Sequence, residues 1–497
     1  MEIFGQMLSL GHVVFLLLAL GLALSFEFVN GFHDTANAVA TVIYTNTLKP
    51  WIAVVWSGLW NLTGVLTSTG MVAFAVVSLL PVELVIHVGS APGFAMVFSL
   101  LIAAIIWNVG TWYLGLPASS SHTLVGAIMG VGIANAMMSP GHAWGEGVNW
   151  AQAKNIGIAL VVSPIVGFIF TALLLLVLKL LVKRKDLFES PEKGKTPPFW
   201  IRALLVFTCT GVSFAHGSND GQKGMGLIML ILIGVVPAAF AVNLNTSEAA
   251  ILQLSSTAQA ISFQMDKHSP GIAMAGGPVS DGYLSDYLKP SGKAAPETFA
   301  AIGTECREIS TALEGHKSLA ELGADQRRDL RNELFLTSES LGKAAKQNLL
   351  TDPAEKKSVV DLKKQMDSLT RFIPIWVKFA VALSLGLGTM IGWKRVVVTV
   401  GEKIGKSHLT YAQGASAELV TFATIEAADM FGLPVSTTHV LSSGIAGAMA
   451  ANGSGLQMQT LRNILLAWVL TLPVCMLLGG GLFAFTLNVV FHAMGIR

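Results

Sequence analysis

Residues 161 to 182 read VVSPIVGFIFTALLLLVLKLLV, an almost wholly apolar run of the length, roughly 20 residues, that a helix needs to cross a bilayer. Comparable runs recur near residues 11 to 30, 51 to 80, 93 to 114, 120 to 138, 156 to 182, 199 to 216, 224 to 243, 374 to 392, 411 to 431, 436 to 451 and 462 to 491, the last long enough for two. Ten to twelve crossings are expected. Such a chain has little choice of architecture, because every backbone polar group inside lipid must find its partner within the chain, which leaves helices or a closed barrel. Composition agrees: 53% of the residues are hydrophobic and 12% charged, against about a quarter charged in soluble domains. The expected fold class is an all-α polytopic membrane protein.

The first apolar run, residues 12 to 26, has no preceding Lys or Arg and no small-residue cleavage site behind it, so it reads as a span rather than a secretory signal. Cys209, Cys306 and Cys475 are too few and scattered for a disulfide framework or a CxxC site. The formal net charge of +2 and the absence of a basic face give no reason to expect a nucleic-acid partner.

Residues 245 to 373 are rich in Lys, Glu, Asp, Gln and Ser, and stretches such as DQRRDLRNELFLTSESLGKAAKQNLL space their apolar residues at helical intervals. A small helical extramembrane insert is expected there. Two motif types recur on either side. Residues 31 to 38 (GFHDTANA) resemble 217 to 224 (GSNDGQKG), and residues 115 to 122 (GLPASSSH) resemble 432 to 439 (GLPVSTTH). The second pair is spaced more widely than the first by nearly the length of the insert, so the chain is one unit duplicated, with a domain inserted in the second copy. The expected organisation is a first transmembrane repeat over 1–198, the second repeat over 199–244 and 374–497, and the insert over 245–373. Duplicated halves with polar, Gly-rich breaks at matching positions are the mark of a secondary transporter whose site lies at the repeat interface.

Each first-type motif sets an Asp, Asp34 or Asp220, beside an apolar span. A carboxylate at that depth is costly unless paired, solvated or protonated, and its usual reason for being there is function. A turn or helix cap in water is the bland alternative. Each second-type motif puts Pro and Ser or Thr at the start of an apolar helix, where free N–H groups and hydroxyls make an anion site. Ordinary capping competes with that reading for one copy, and the matching duplicate tips it towards ligand binding. His122 and His439 suit proton relay or plain interhelical hydrogen bonding equally well.

Ser121–His122 and Thr438–His439 do not make a nucleophile and its base, since helical neighbours at i and i+1 face apart. Residues 401 to 407 (GEKIGKS) fall one residue short of a phosphate-binding loop. His33 and His216 lack metal-ligand spacing, and neither a fixed metal nor a cofactor is expected.

At these motifs the chain resembles the inorganic phosphate transporter (PiT) family, and closely its bacterial low-affinity Pit-type members. The family signature Gly-Ala-Asn-Asp-Val-Ala-Asn-Ala is matched in the first copy at Gly31, Asp34, Ala36, Asn37 and Ala38, with Phe32 and His33 departing. In the second it is matched at Gly217, Asn219 and Asp220, with Gly221, Gln222, Lys223 and Gly224 departing. The resemblance implies about twelve helices in two inverted repeats with broken helices at the site, phosphate held between the repeats, and alternating access. It assigns Asp34, Asn37 and Asp220 to the ion and phosphate site, with His122 and His439 grouped with ion coupling. Ser119, Ser120, Ser121, Ser436, Thr437 and Thr438 form the phosphate cradle, and Asn219, Gln222 and Lys223 are counted with the phosphate ligands.

Lys223 stands where sodium-coupled relatives have an Asn that coordinates sodium, and an ammonium cannot ligate a cation. Proton-coupled import of a neutral divalent metal–phosphate complex across the bacterial cytoplasmic membrane is therefore what the resemblance implies. The expected partners are phosphate, protons, co-transported divalent metal ions and lipid, with a homodimer allowed. Sodium coupling, sulfate as substrate, a passive channel and a membrane enzyme acting on phosphate esters are the competing readings. Sulfate carries no proton to donate to Asp34 or Asp220, and an enzyme would need a metal cluster or an activated nucleophile.

Orientation meets a conflict. Basic residues crowd both 183–202 and 393–406, and three expected spans between them would put the two segments on opposite sides, against the positive-inside rule. The count of spans there is expected to be off by one.

Overall fold

The computed structural model describes residues 2–34, 36–80, 82–86, 88–139, 145–191 and 196–491. Apart from a hairpin of two short strands, β1 (Glu2–Ile3) and β2 (Gln6–Met7), regular structure is helical. The first copy supplies α1 (Leu10–Asp34), α2 (Ala36–Tyr44), α3 (Pro50–Thr67), α4 (Met71–Val77), α5 (Val82–Ile86), α6 (Ala91–Tyr113), α7 (Ser120–Met138) and α8 (Trp150–Leu181). The second begins with α9 (Phe199–Val235) and α10 (Pro237–Phe240). The insert follows as α11 (Glu248–His268), α12 (Pro278–Leu288), α13 (Pro296–Leu313), α14 (Ala324–Lys346) and α15 (Pro353–Thr370). The chain closes with α16 (Ile375–Ile391), α17 (Lys394–Glu402), α18 (Tyr411–Met430), α19 (Thr437–Asn452) and α20 (Met458–Phe485).

Among the described residues six helical segments are long and apolar enough to cross a membrane, or eight if each of two bent pairs counts as one span. In one such pair, α3 and α4, the chain turns by 78°. The helices α18 and α19 stand outside that count, α18 being rich in small and polar residues and α19 only 16 residues long.

Two runs expected to be separate spans, 199 to 216 and 224 to 243, are largely one helix. The 37-residue α9 passes without interruption through the second Asp motif. Its glycines do not break it. They serve close packing, since a Cβ on Gly217 would meet the backbone of Asn61, one on Gly221 the side chain of Val65, and one on Gly224 the side chain of Glu27. Gly inside a helix costs stability and is kept where a backbone must approach closely. With α9 a single crossing, two spans rather than three separate the basic segments 183–202 and 393–406.

The chain divides into two compact units, one of Met1–Leu18, Pro81–Phe94 and Met229–Phe372, the other of Ala19–Leu80, Ala95–Ile228 and Ile373–Arg497. The first is wider than the expected insert. Its core gathers Ile251, Leu254, Ile261, Cys306, Leu334 and Leu362 from the amphipathic faces of α11, α13, α14 and α15, with Val82 and Ile86 packed against it. Ser247 and Asp352 cap α11 and α15 by accepting the N–H of Ala250 and Ala354, and proline opens α12, α13 and α15.

In the second unit the two copies exchange partners. The helix after the first Ser motif, α7, packs on α20, and the helix after the second, α19, packs on α8. Gly31 of α1 lies against the backbone at Leu385 of α16, whereas Gly217 of α9 lies against Asn61 of α3. The reciprocal contacts repeat the pattern, Gly388 against Phe28 and Gly64 against Phe214. Each copy is thus completed by the other.

Candidate functional site

Asp34 is the last described residue of α1, while Asp220 sits in the middle of α9, and both are buried. The starts of α7 and α19 bring hydroxyls to them. Ser120 Oγ reaches Asp34 Oδ2, lies 2.8 Å from Asn30 Oδ1 and 3.3 Å from Asp220 Oδ2. From the second copy, Thr438 Oγ1 donates to Asp34 Oδ1 at 2.7 Å. One hydroxyl of each Ser motif therefore meets the carboxylate of the first copy, and Ser120 bridges to that of the second.

Lys223 is fully buried, one turn beyond Asp220 on α9. Its ammonium lies 2.7 Å from Asp220 Oδ1 and donates to Ser121 Oγ at 2.5 Å, and Ser121 in turn donates to the carbonyl of Val435 at 2.8 Å. A lysine at this depth is tolerated because a carboxylate neutralises it and a hydroxyl accepts its hydrogen. The i, i+3 spacing on a continuous helix is what places the pair.

Two histidines flank the carboxylates. His33 Nδ1 lies 2.9 Å from Asp34 Oδ1 with its Nε2 3.0 Å from Thr111 Oγ1. His216, a turn before Asp220, sets Nε2 3.7 Å from Asp220 Oδ2 and Nδ1 2.8 Å from Asn61 Oδ1. Asp34, His216 and Asp220 can present ligand atoms all within 4.8 Å of one another. Spacing along the chain does not reveal this trio, because Asp34 comes from the first copy and His216 and Asp220 share a helix face only because α9 runs unbroken. Two carboxylates and an imidazole suit a cation, and the ammonium against Asp220 opposes a bare cation there but not one that carries its own anion.

The remaining predicted site residues divide by task. Ser119 and Ser436 are N-caps, accepting the N–H of His122 and His439 at 3.2 Å in each copy. Asn219 faces the second Ser motif's approach instead of a ligand, donating to Leu433 O at 3.2 Å and accepting from Val435 N at 3.4 Å. Gln222 is drawn away from the carboxylates by Asp429 at 2.7 Å, the carbonyl of Ser218 at 2.9 Å and the N–H of Val72 at 2.9 Å. The rings of His122 and His439 lie with centroids 4.6 Å apart and tilted by 38°, and His439 stacks on Trp468 at 3.9 Å. Nδ1 of the former and Nε2 of the latter have no hydrogen-bond partner among the described residues, and neither has Thr437 Oγ1. The side chain of Asn37 lies outside the described residues.

Two acids went unnoticed in the sequence. Glu27, a turn before Asn30 on α1, is fully buried beneath Gly224, with Asn30 donating to Oε2 at 3.3 Å. Glu418 of α18 is fully buried between the hydroxyls of Thr41 and Thr208, the latter at 2.5 Å. The signal was there in SFEFVN and GASAELVTF, each an acid within an apolar helix.

Chemically, the cluster offers hydroxyl donors, an ammonium and two carboxylates in a dry setting. That combination can hold an oxyanion bearing a proton, whose O–H donates to a carboxylate while its other oxygens accept from hydroxyl and ammonium.

A family model described as the phosphate transporter family matches residues 30–479. The chain is 43% identical to the low-affinity inorganic phosphate transporter PitA of Escherichia coli K12, over 97% of this chain and 98% of that one. It is 40% identical to the low-affinity inorganic phosphate transporter of Buchnera aphidicola subsp. Acyrthosiphon pisum, over 96% and 97%. With the probable low-affinity inorganic phosphate transporter of Bacillus subtilis it shares 29% identity over 94% and 96%. A solved structure, the sodium-dependent phosphate transporter, aligns with a TM-score of 0.51 and 19% identity over 96% of this chain and 100% of that one, a likeness of fold.

Proposed function

Since this chain belongs to the phosphate transporter family, we propose that it imports inorganic phosphate by proton symport, holding it among Asp34, Asp220, Ser120, Thr438 and Lys223 and exposing that site alternately to the two sides of the bacterial cytoplasmic membrane. It is a multi-pass membrane transporter and not an enzyme. The observation that carries the reading is the Lys223–Asp220 contact of 2.7 Å inside the bilayer. An ammonium there supplies the positive charge that a sodium ion would otherwise bring to a bound anion, so phosphate can be neutralised without sodium.

Phosphate arriving as a neutral complex with a divalent metal suits the same site. The metal is then cargo, and the carboxylates of Asp34 and Asp220 with His216 are the groups that can share its shell. Alternating access is supported by the exchanged packing of the two copies, which gives the site two related halves to rock against each other. The single crossing of α9 supports an orientation with 183–202 and 393–406 in the cytoplasm and the insert on the outer face.

Uptake of labelled phosphate into proteoliposomes tests this directly. Accumulation is expected to follow an inward proton gradient, to persist when potassium replaces sodium, and to vanish in Asp34→Asn and Asp220→Asn proteins that still insert normally. Uptake that requires sodium overturns the coupling, and near-normal uptake by both variants overturns the site.

A further inference from the structure

In the unit that carries the insert, a cavity of about 660 Å³ is lined by the residues just before and within the first turn of α1, by Val85, Ile86 and Gly89, by the end of α9, and by Arg331 with its neighbours Arg328 and Asp329 on α14. Arg331 of α14 lines it and is 6% exposed. Its Nη1 reaches Val85 O at 3.4 Å and Asn332 Oδ1 at 3.1 Å, and its guanidinium lies 5.1 Å from the centre of the Phe335 ring. Five N–H donors thus have two acceptors. Burial holds the guanidinium down to about 10, and among the described residues no carboxylate acts against it.

The contrast with Arg328, one turn earlier, is direct. That guanidinium is exposed and carries two carboxylates, Asp325 at 3.1 Å and Asp329 at 3.4 Å. Charges are normally buried only with a counter-ion, and a buried guanidinium left without one is strongly unfavourable. Here it fronts a cavity with room for a polyatomic ion. The mouth bears Ser9 and His12, joined by a 2.6 Å hydrogen bond, at the start of a spanning helix.

We propose that this cavity is a second anion site that takes a phosphate group, with the Arg331 guanidinium as its counter-ion. A planar guanidinium binds two phosphate oxygens side by side, a geometry that an Arg beside an open volume, with no carboxylate partner among the described residues, is free to offer. Two sources share that chemistry. The start of α1 and the end of α9, both helices long and apolar enough to span, flank the cavity, and Leu8 and Ile86 give it an apolar wall, which suits an anionic phospholipid at the membrane surface. Free inorganic phosphate fits the same charge. The site is separate from the transport cluster in the other unit, and its occupancy would tie the outer insert to the phosphate or lipid around it.

The full chain, purified from nanodiscs of mixed phosphatidylglycerol and phosphatidylcholine, decides it. Equilibrium dialysis with labelled inorganic phosphate counts bound phosphate, and extraction counts retained phosphatidylglycerol. If the occupant is free phosphate, the wild type binds one more phosphate per chain than Arg331→Gln. If it is lipid, the wild type retains one more phosphatidylglycerol per chain. Should Arg331→Gln not fold, Ser9→Trp leaves the guanidinium in place, fills the exposed mouth and is expected to cause the same loss. Equal counts of both phosphate and phosphatidylglycerol in the wild type and the folded variants overturn the proposal. Transport is scored separately, so failure here leaves the phosphate-transport reading standing.

Discussion

Thr438 Oγ1 donates to Asp34 Oδ1 across 2.7 Å although 404 residues separate them in the chain. The bond joins the second Ser motif to the first Asp motif, so neither copy of the duplicated unit holds a finished site. A hydrogen bond to an ionised group contributes about 1.5–3 kcal/mol. Thr438→Val should therefore lower phosphate uptake roughly tenfold or more, while Thr438→Ser, which keeps the hydroxyl, should retain most of it. Steady-state uptake in proteoliposomes at matched protein content is the measurement, and equal rates for the Val and Ser variants would show that the hydroxyl does nothing.

Lys223→Gln removes the ammonium and leaves Asp220 without its 2.7 Å partner. Breaking a buried pair from one side costs about 3–5 kcal/mol, so the variant should transport poorly and melt at a lower temperature. The double variant Lys223→Gln, Asp220→Asn should regain the lost stability but not the transport. Circular dichroism melts with parallel uptake assays separate the two.

Gly217 and Gly31 each face another helix's backbone, at Asn61 and Leu385. A methyl group there must push two helices apart, and overpacking of this kind costs about 1–3 kcal/mol or more. Gly217→Ala and Gly31→Ala should both reduce the yield of monodisperse protein, whereas Gly21→Ala, with nothing within 4 Å, should be silent. Size-exclusion profiles of the three compare them directly.

In the insert, Glu305 is fully buried, and burial followed by the neighbouring carboxylates of Asp281, Glu333 and Glu308 raises it to about 8. Burial, then Glu308, Asp281 and Asp329, raises Glu333 to about 7. Both stay protonated in the folded insert where the unfolded chain, titrating near 4.5, has released its protons. Stability is thus full below about pH 4.5 and is lost as the pH rises to about 8. Glu305→Gln should flatten that fall, on the order of 2 kcal/mol after solvent screening. Hydrogen exchange on α13 between pH 6 and 9 reads it.

How much of this was legible in the sequence can be judged residue by residue. Asp34, Asp220 and the hydroxyls of Ser120, Ser121 and Thr438 stood out because an acid or a capping run in an apolar helix needs a reason, and the structure gathers them. The continuity of α9 did not show, because Gly217, Gly221 and Gly224 look like a break until their packing partners on other helices are known. Asn219 and Gln222 were legible as motif positions but not as braces, since Leu433 and Asp429 lie more than 200 residues away. Ser119 and Ser436 carry the same residue type as their neighbours, and only the turn of the helix decides which hydroxyl caps and which points inward. Glu27 and Glu418 were hidden for the opposite reason, each lacking a duplicate to draw attention to it.

Membrane voltage adds a consequence to the Lys223–Asp220 pair. Carrying one elementary charge through the field costs about 2.3 kcal/mol per 100 mV, and a lone Asp220 would bring that charge along whenever the unloaded carrier turned round. With an ammonium 2.7 Å away the two cancel. In the proposed cycle the return of the empty site then moves one charge fewer, so that step should answer less steeply to membrane voltage than it does in Lys223→Gln.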